Sequence, residues 1–210
     1  EDKFMSERGI LIVVSGFSGA GKGTVMKEIM RRYDNYALSI SATTRKPRTG
    51  EEDGREYFFK SVEEFEKMIA KDELIEYARY VDNYYGTPRG YVEEQLDAGK
   101  DVILEIEIQG ALKVKEKFPK VLLLFVTPPT AKELRSRLEG RGTETKDVID
   151  FRMNRAKEEA EGMNQYDYLI VNDVLEECVE QVHQIIQGEH RRSYRNKAFI
   201  EHMKEELKGE

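Results

Sequence analysis

The run from Ile10 to Thr24, Ile-Leu-Ile-Val-Val-Ser-Gly-Phe-Ser-Gly-Ala-Gly-Lys-Gly-Thr, constrains this chain more than any other stretch. Its first half, Ile10 to Ser15, is a continuous β-branched run and reads as a strand buried on both faces, as in a parallel sheet. Its second half is a glycine-rich turn that leads into a helical pattern from about Val25 to Arg32. Glycines let successive backbone N–H groups converge on one point and form an anion nest. The following helix directs its positive end at the same point. Strand, glycine turn and helix in that order are the setting in which such a loop cradles phosphates. Gly16, Ser18, Gly19, Ala20, Gly21, Lys22, Gly23 and Thr24 are therefore expected to bind the phosphates of a nucleotide, with Lys22 reaching the β- and γ-phosphates. The generic motif has Ser or Thr directly after the lysine, where its hydroxyl faces Mg²⁺. Here Gly23 holds that place, which leaves Thr24 as the candidate hydroxyl near the metal or a phosphate.

Three more strand-sized apolar runs follow: Val102 to Leu104, Val121 to Val126, and Tyr168 to Val171. Helical stretches separate them, which predicts an α/β fold with a parallel sheet flanked by helices. Residues 40–95 break that rhythm. Arg45 to Gly54 is polar and turn-rich, Tyr57 to Phe59 and Leu74 to Val81 read as short strands, and a helix near Val62 to Lys71 lies between them. This reads as an inserted α+β subdomain. Residues 130–164 are helical, highly charged and interrupted by Gly140-Arg141-Gly142, with little apolar surface to bury, and are expected to be mobile. The core then consists of residues 8–39, 96–129 and 165–190, and 191–210 form a charged amphipathic helical tail.

Composition narrows the classes. Against 34 Lys and Arg stand 41 Asp and Glu, a net charge of −7, which argues against a general nucleic-acid binder. No apolar run approaches the ~18–20 residues needed to span a membrane. No basic region leads into an apolar stretch at the N-terminus, so no signal peptide is expected, and Met5 reads as a natural start. The lone Cys178 cannot form an internal disulfide, which fits a reducing cytoplasm. It is expected to be a half-buried helix residue with an unreactive thiol.

A phosphate loop alone does not choose among kinases, GTPases and ATPases. The next segment does. Ser41-Ala42-Thr43-Thr44-Arg45-Lys46-Pro47-Arg48-Thr49-Gly50-Glu51 resembles the signature of the guanylate kinases. The resemblance continues through Asp53 to Phe59, Leu74 to Ala78 and Asn83 to Thr87. It extends to Leu104 to Ala111, Arg137 to Glu144 and Ile170 to Asp173, and covers roughly residues 8–188. It implies a P-loop kinase core with a GMP-binding subdomain and a helical lid. The activity it implies is transfer of the γ-phosphoryl group of ATP to GMP, and to dGMP, with Mg²⁺ accompanying ATP. The implied partners are these small molecules, with no nucleic acid and no membrane.

By the same resemblance, Arg45, Arg48, Tyr57 and Tyr85 bind the GMP phosphate. The residue types suit that role, because two arginines around a proline can both point at one phosphate, and each planar fork pairs two oxygens at once. Ser41, Glu76, Gly86, Thr87 and Glu107 are implied to bind GMP as well, with Ser41, Glu76, Thr87 and Glu107 lining the guanine pocket. The family more often has Asp where this chain has Glu107, which leaves contact with water or Mg²⁺ as the alternative there. Arg137, Arg141 and Arg152 resemble the arginines that the lid brings onto the triphosphate, so the catalytic set is Lys22, Arg45, Arg141 and Arg152. Asn172, after the last strand, is the candidate contact to adenine or its loop. Two rivals remain open at this point. One is a non-catalytic guanylate-kinase-like module that holds phosphopeptides, and the other is a kinase for a different nucleotide.

Overall fold

A computed structural model describes residues 8–80, 82–140, 142 and 145–209, with only the backbone of Tyr80. In chain order the elements begin with β1 (Leu11–Gly16), α1 (Lys22–Arg32), β2 (Tyr36–Leu38), β3 (Ala42–Thr43), β4 (Phe58–Phe59) and α2 (Val62–Ala70). Then come β5 (Leu74–Tyr80), β6 (Asn83–Pro88), α3 (Arg89–Asp97), β7 (Asp101–Glu105), α4 (Ile108–Lys117) and β8 (Leu122–Thr127). The chain closes with α5 (Ala131–Gly140), α6 (Lys146–Ala160), β9 (Tyr168–Val171), α7 (Leu175–His190) and α8 (Lys197–Gly209).

The main sheet has the order β2-β7-β1-β8-β9 and is parallel throughout. β1 lies in the middle because Ile12, Val13 and Val14 have no exposed surface, as a strand covered by helices on both faces requires. β2 is a strand the apolar runs did not reveal, because only Tyr36-Ala37-Leu38 pair with β7. The strand order reverses at β1, so the loops after β1 and β7 open side by side at the carboxyl end of the sheet, where ligands bind in open α/β folds. At the opposite end, the buried Asp101 accepts the Ile10 N–H at 2.8 Å and lies 2.8 Å from Nε2 of His190, which docks the end of α7.

Residues 42–88 build a second sheet, β4-β3-β6-β5, with its own small core of Ala42, Phe65 and Leu74. Its helix α2 starts with a capping box, the Ser61 hydroxyl on the Glu64 N–H and the Glu64 carboxylate on the Ser61 N–H. Two expectations need correction. The lid helices do bury apolar side chains: Leu134 and Leu138 of α5 and Ile149 and Ala156 of α6 join the main core. Cys178 is fully rather than half buried, and burial pushes its thiol up to about 11, which keeps it unreactive. The tail is helical as expected, and α8 leaves Phe199, Met203 and Leu207 exposed on one side.

Candidate active site

The phosphate loop takes its shape from glycine. Gly19 and Gly21 lie at φ 95° and 88°, in the left-handed region that other residues avoid. A Cβ on Gly21 would stand 2.5 Å from the amide nitrogen of Asn172, and one on Gly19 would touch Leu138 of the lid at 2.9 Å. Lys22 opens α1, and its Nζ donates to the carbonyls of Gly16 at 2.8 Å and Phe17 at 3.2 Å. Gly23 and Thr24 are exposed in the first turn of that helix. Asn172 is buried behind the loop, where its amide donates to the Ala20 carbonyl at 2.8 Å. The geometry makes it a brace for the loop.

On the other side, β3, β4 and β6 carry an arginine–tyrosine cluster. Arg45 lies over the ring of Tyr57 at 5.2 Å, and the rings of Tyr57 and Tyr85 meet edge to face at 6.2 Å. The sequence motifs gave no role to Glu51, which organises this turn. It accepts Nη2 of Arg45 at 2.9 Å and the Arg48 N–H at 2.7 Å. The Arg45 guanidinium foremost, then the Arg48 amide, hold its carboxyl below the usual range. The Arg48 side chain is exposed. The opposite charge six residues after Arg45 was the available signal.

Glu76 owes its aim to a bulge. Leu74 pairs with Pro88 and Tyr77 with Gly86, so Ile75 and Glu76 together stand opposite Thr87. The extra residue turns the strand, and Glu76 points inward instead of alternating out to solvent. The fully buried Thr87 donates its hydroxyl to Oε1 of Glu76 at 2.7 Å. Burial raises the Glu76 pKa, and the Thr87 hydroxyl, then Lys113 and Lys117 on α4, oppose that more weakly. Gly86 gives β5 room, since a Cβ there would lie 2.9 Å from the Glu76 carbonyl. The Ser41 carbonyl accepts the Phe58 N–H at 2.9 Å and ties β4 to the segment that enters β3.

The lid closes over the loop between these two sides. Arg152 of α6 hydrogen-bonds the hydroxyl of Ser18. Arg155, one turn on, donates to Oε2 of Glu107 at 2.5 Å. A cleft of about 460 Å³ is lined by Gly16, Ser18, Lys22, Glu105, Glu107 and Arg152, among others. Arg137 is not among the lining residues; its Nε donates to Glu133 at 2.7 Å, one turn back on α5. Arg141 lies outside the described residues. Among the described residues, no group of three or more His, Cys, Asp or Glu gathers into a metal cage. The cleft instead offers separate hard oxygen donors, Glu105 and Glu107, with Thr24 exposed in the first turn of α1, which suits a cation held mainly by substrate phosphates and water.

A family model described as guanylate kinase matches residues 8–189. A guanylate kinase of Halalkalibacterium halodurans is 57% identical over 88% of this chain and 90% of its own length. One from Lactococcus lactis is 52% identical over 97% of this chain and 100% of its own. Among solved structures, a crystal structure of guanylate kinase from Anaplasma phagocytophilum superposes with a TM-score of 0.70 at 32% identity, covering 91% of each chain. A full-length sequence match and a shared architecture agree with the phosphate loop, the arginine–tyrosine cluster and the helical lid, and the chain belongs to the guanylate kinase family.

Proposed function

We propose that this protein moves the γ-phosphoryl group of ATP onto the phosphate of GMP, giving ADP and GDP. The observation that carries this reading is the intact donor side, with Arg152 of the lid laid on Ser18 beside Lys22 in one cleft. A module that only held a phosphopeptide would need neither the lysine nor the lid arginine. The other side supplies selectivity, because Glu76 is a mostly buried acceptor set to meet the adjacent N1–H and 2-amino donors of guanine.

Phosphoryl transfer asks the protein for position and charge neutralisation rather than covalent chemistry. Lys22 and the loop amides hold the β/γ end of ATP. Arg45, Arg48, Tyr57 and Tyr85 hold the GMP phosphate, with Glu51 fixing the arginine turn. Arg152 and Arg141 draw charge off the transferring group. The GMP phosphate is itself the nucleophile, so no strong base is required. Mg²⁺, when bound with ATP, neutralises phosphate charge, and Thr24 is the hydroxyl that would face it. Residues 40–95 and 130–164 act as the moving bodies that close over the core and exclude water. The cytoplasm, with a buried free thiol and small-molecule substrates, is the place we assign to it.

An assay that detects ADP, run with GMP, AMP, UMP and CMP in parallel, tests the reading. Phosphoryl transfer to GMP and little to the other three is expected. Binding of GMP with no transfer from ATP would favour the scaffold instead, and preference for another nucleotide would move the chain to a different kinase class.

A further inference from the structure

No sequence motif points to Arg155, yet it spans the cleft. Its Nε donates to Oε1 of Glu159 at 3.2 Å, one turn along α6, and its Nη2 donates to Oε2 of Glu107 at 2.5 Å across the cleft. The anchor is the more buried end, since the Glu159 side chain is 21% exposed and that of Glu107 76%. Glu107 occupies the N-cap position of α4, but its side chain makes no capping bond. Arg155 is therefore what holds this carboxylate among the described residues. An exposed glutamate otherwise visits several rotamers, and contact with a base requires that one of them be selected beforehand. Glutamate, one methylene longer than aspartate, extends the reach of this carboxylate toward α6.

We propose that Arg155 is a positioning residue for the acceptor nucleotide: anchored by Glu159, it holds Glu107 in the orientation that meets the base of GMP. The lid's register on the core and acceptor recognition are thereby coupled through one ion pair. The proposal rests on the reading that Glu107 faces guanine. Both partners are partly exposed, so solvent and salt screen the pair and its effect is small, about two- to fivefold in an equilibrium constant.

The test uses the full chain with Arg155→Gln, Glu107→Gln, both together, and Arg155→Lys, measuring kcat and the two KM values at low and high salt. Arg155→Gln should raise KM for GMP by about two- to fivefold, with kcat and KM for ATP nearly unchanged. The rise should shrink at high salt, be smaller in Arg155→Lys, and vanish in the Glu107→Gln background. If Glu107→Gln raises KM for GMP and Arg155→Gln does not, the positioning role is overturned while the base contact stands. If Glu107→Gln leaves KM for GMP unchanged, the base contact itself fails and takes the proposal with it. A fall in kcat of about a hundredfold in Arg155→Gln at unchanged KM for GMP would make Arg155 a phosphate ligand and overturn the positioning role.

Discussion

Replacing Glu76 by glutamine separates a base-reading carboxylate from a structural one, because stability and activity are expected to move apart. Glutamine keeps the shape and can still accept the Thr87 hydroxyl through its own oxygen, so the 2.7 Å contact survives. What changes is the second position, where an amide N–H now stands in place of a carboxylate oxygen. One of the two adjacent guanine donors then meets a donor. A hydrogen bond to a charged group contributes about 1.5–3 kcal/mol, and a buried polar group left unpaired costs about 1–3 kcal/mol. Together they amount to roughly 2.5–6 kcal/mol, a fall of about 10²–10⁴ in kcat/KM for GMP at about 1.4 kcal/mol per decade. KM for ATP should barely change. Stability has the other sign. Burial raises the folded-state pKa of Glu76, so the folded protein binds this proton more tightly than the unfolded chain does. The stability gained from that is present below the unfolded pKa and lost as pH rises through the folded pKa. At neutral pH the ionised group is therefore a burden, and Glu76→Gln should melt no lower than the parent at pH 7 while losing this pH dependence. The measurements are an ADP-detecting assay with GMP varied and thermal melts from pH 4 to pH 8. A variant that uses GMP as well as the parent but melts several degrees lower would show that Glu76 serves the fold and does not read the base.

Two further substitutions test the donor side. Lys22→Met should lower kcat by roughly 10²–10³ while GMP affinity, measured by calorimetry, stays close to that of the parent; near-normal turnover would remove the assigned role. Asn172→Ala leaves the Ala20 carbonyl without its buried donor, which should cost about 1–3 kcal/mol in denaturant unfolding and raise KM for ATP more than KM for GMP. Unchanged stability in that variant would mean that the loop does not depend on this brace.

Local patterns in the chain carried the phosphate loop and its place in the sheet. The β-branched run Ile10 to Ser15 could be buried on both faces only at the centre of a parallel sheet, and the glycines after it could serve only a loop whose backbone closes on an anion. The arginine–proline–arginine turn was legible as well, since Arg45, Arg48 and Glu51 lie within seven residues of one another along the chain. The strands were legible where apolar or aromatic residues run together, as in Tyr57 to Phe59 around the two-residue β4. β2 and β3 have three and two residues and exist because a neighbour pairs with them, which no local pattern announces.

Tertiary structure decided whatever depends on two distant segments meeting. Alternation along Ile75-Glu76-Tyr77 allowed Glu76 to face water; the bulge opposite Thr87 turned it inward, and a bulge is a property of a strand pair. The polar look of residues 130–164 hid Leu134, Leu138, Ile149 and Ala156, whose spacing is too sparse to announce a buried face until the core supplies one. The place of Asn172 at a strand end left open whether it meets adenine or its loop, and the fold brings its amide to the Ala20 carbonyl 152 residues away. No motif singled out Arg155, and only the approach of α6 to the start of α4 gave it Glu107. A side chain's type and its near neighbours are written in the chain, but the partner of a long polar side chain is set by which elements pack within its reach.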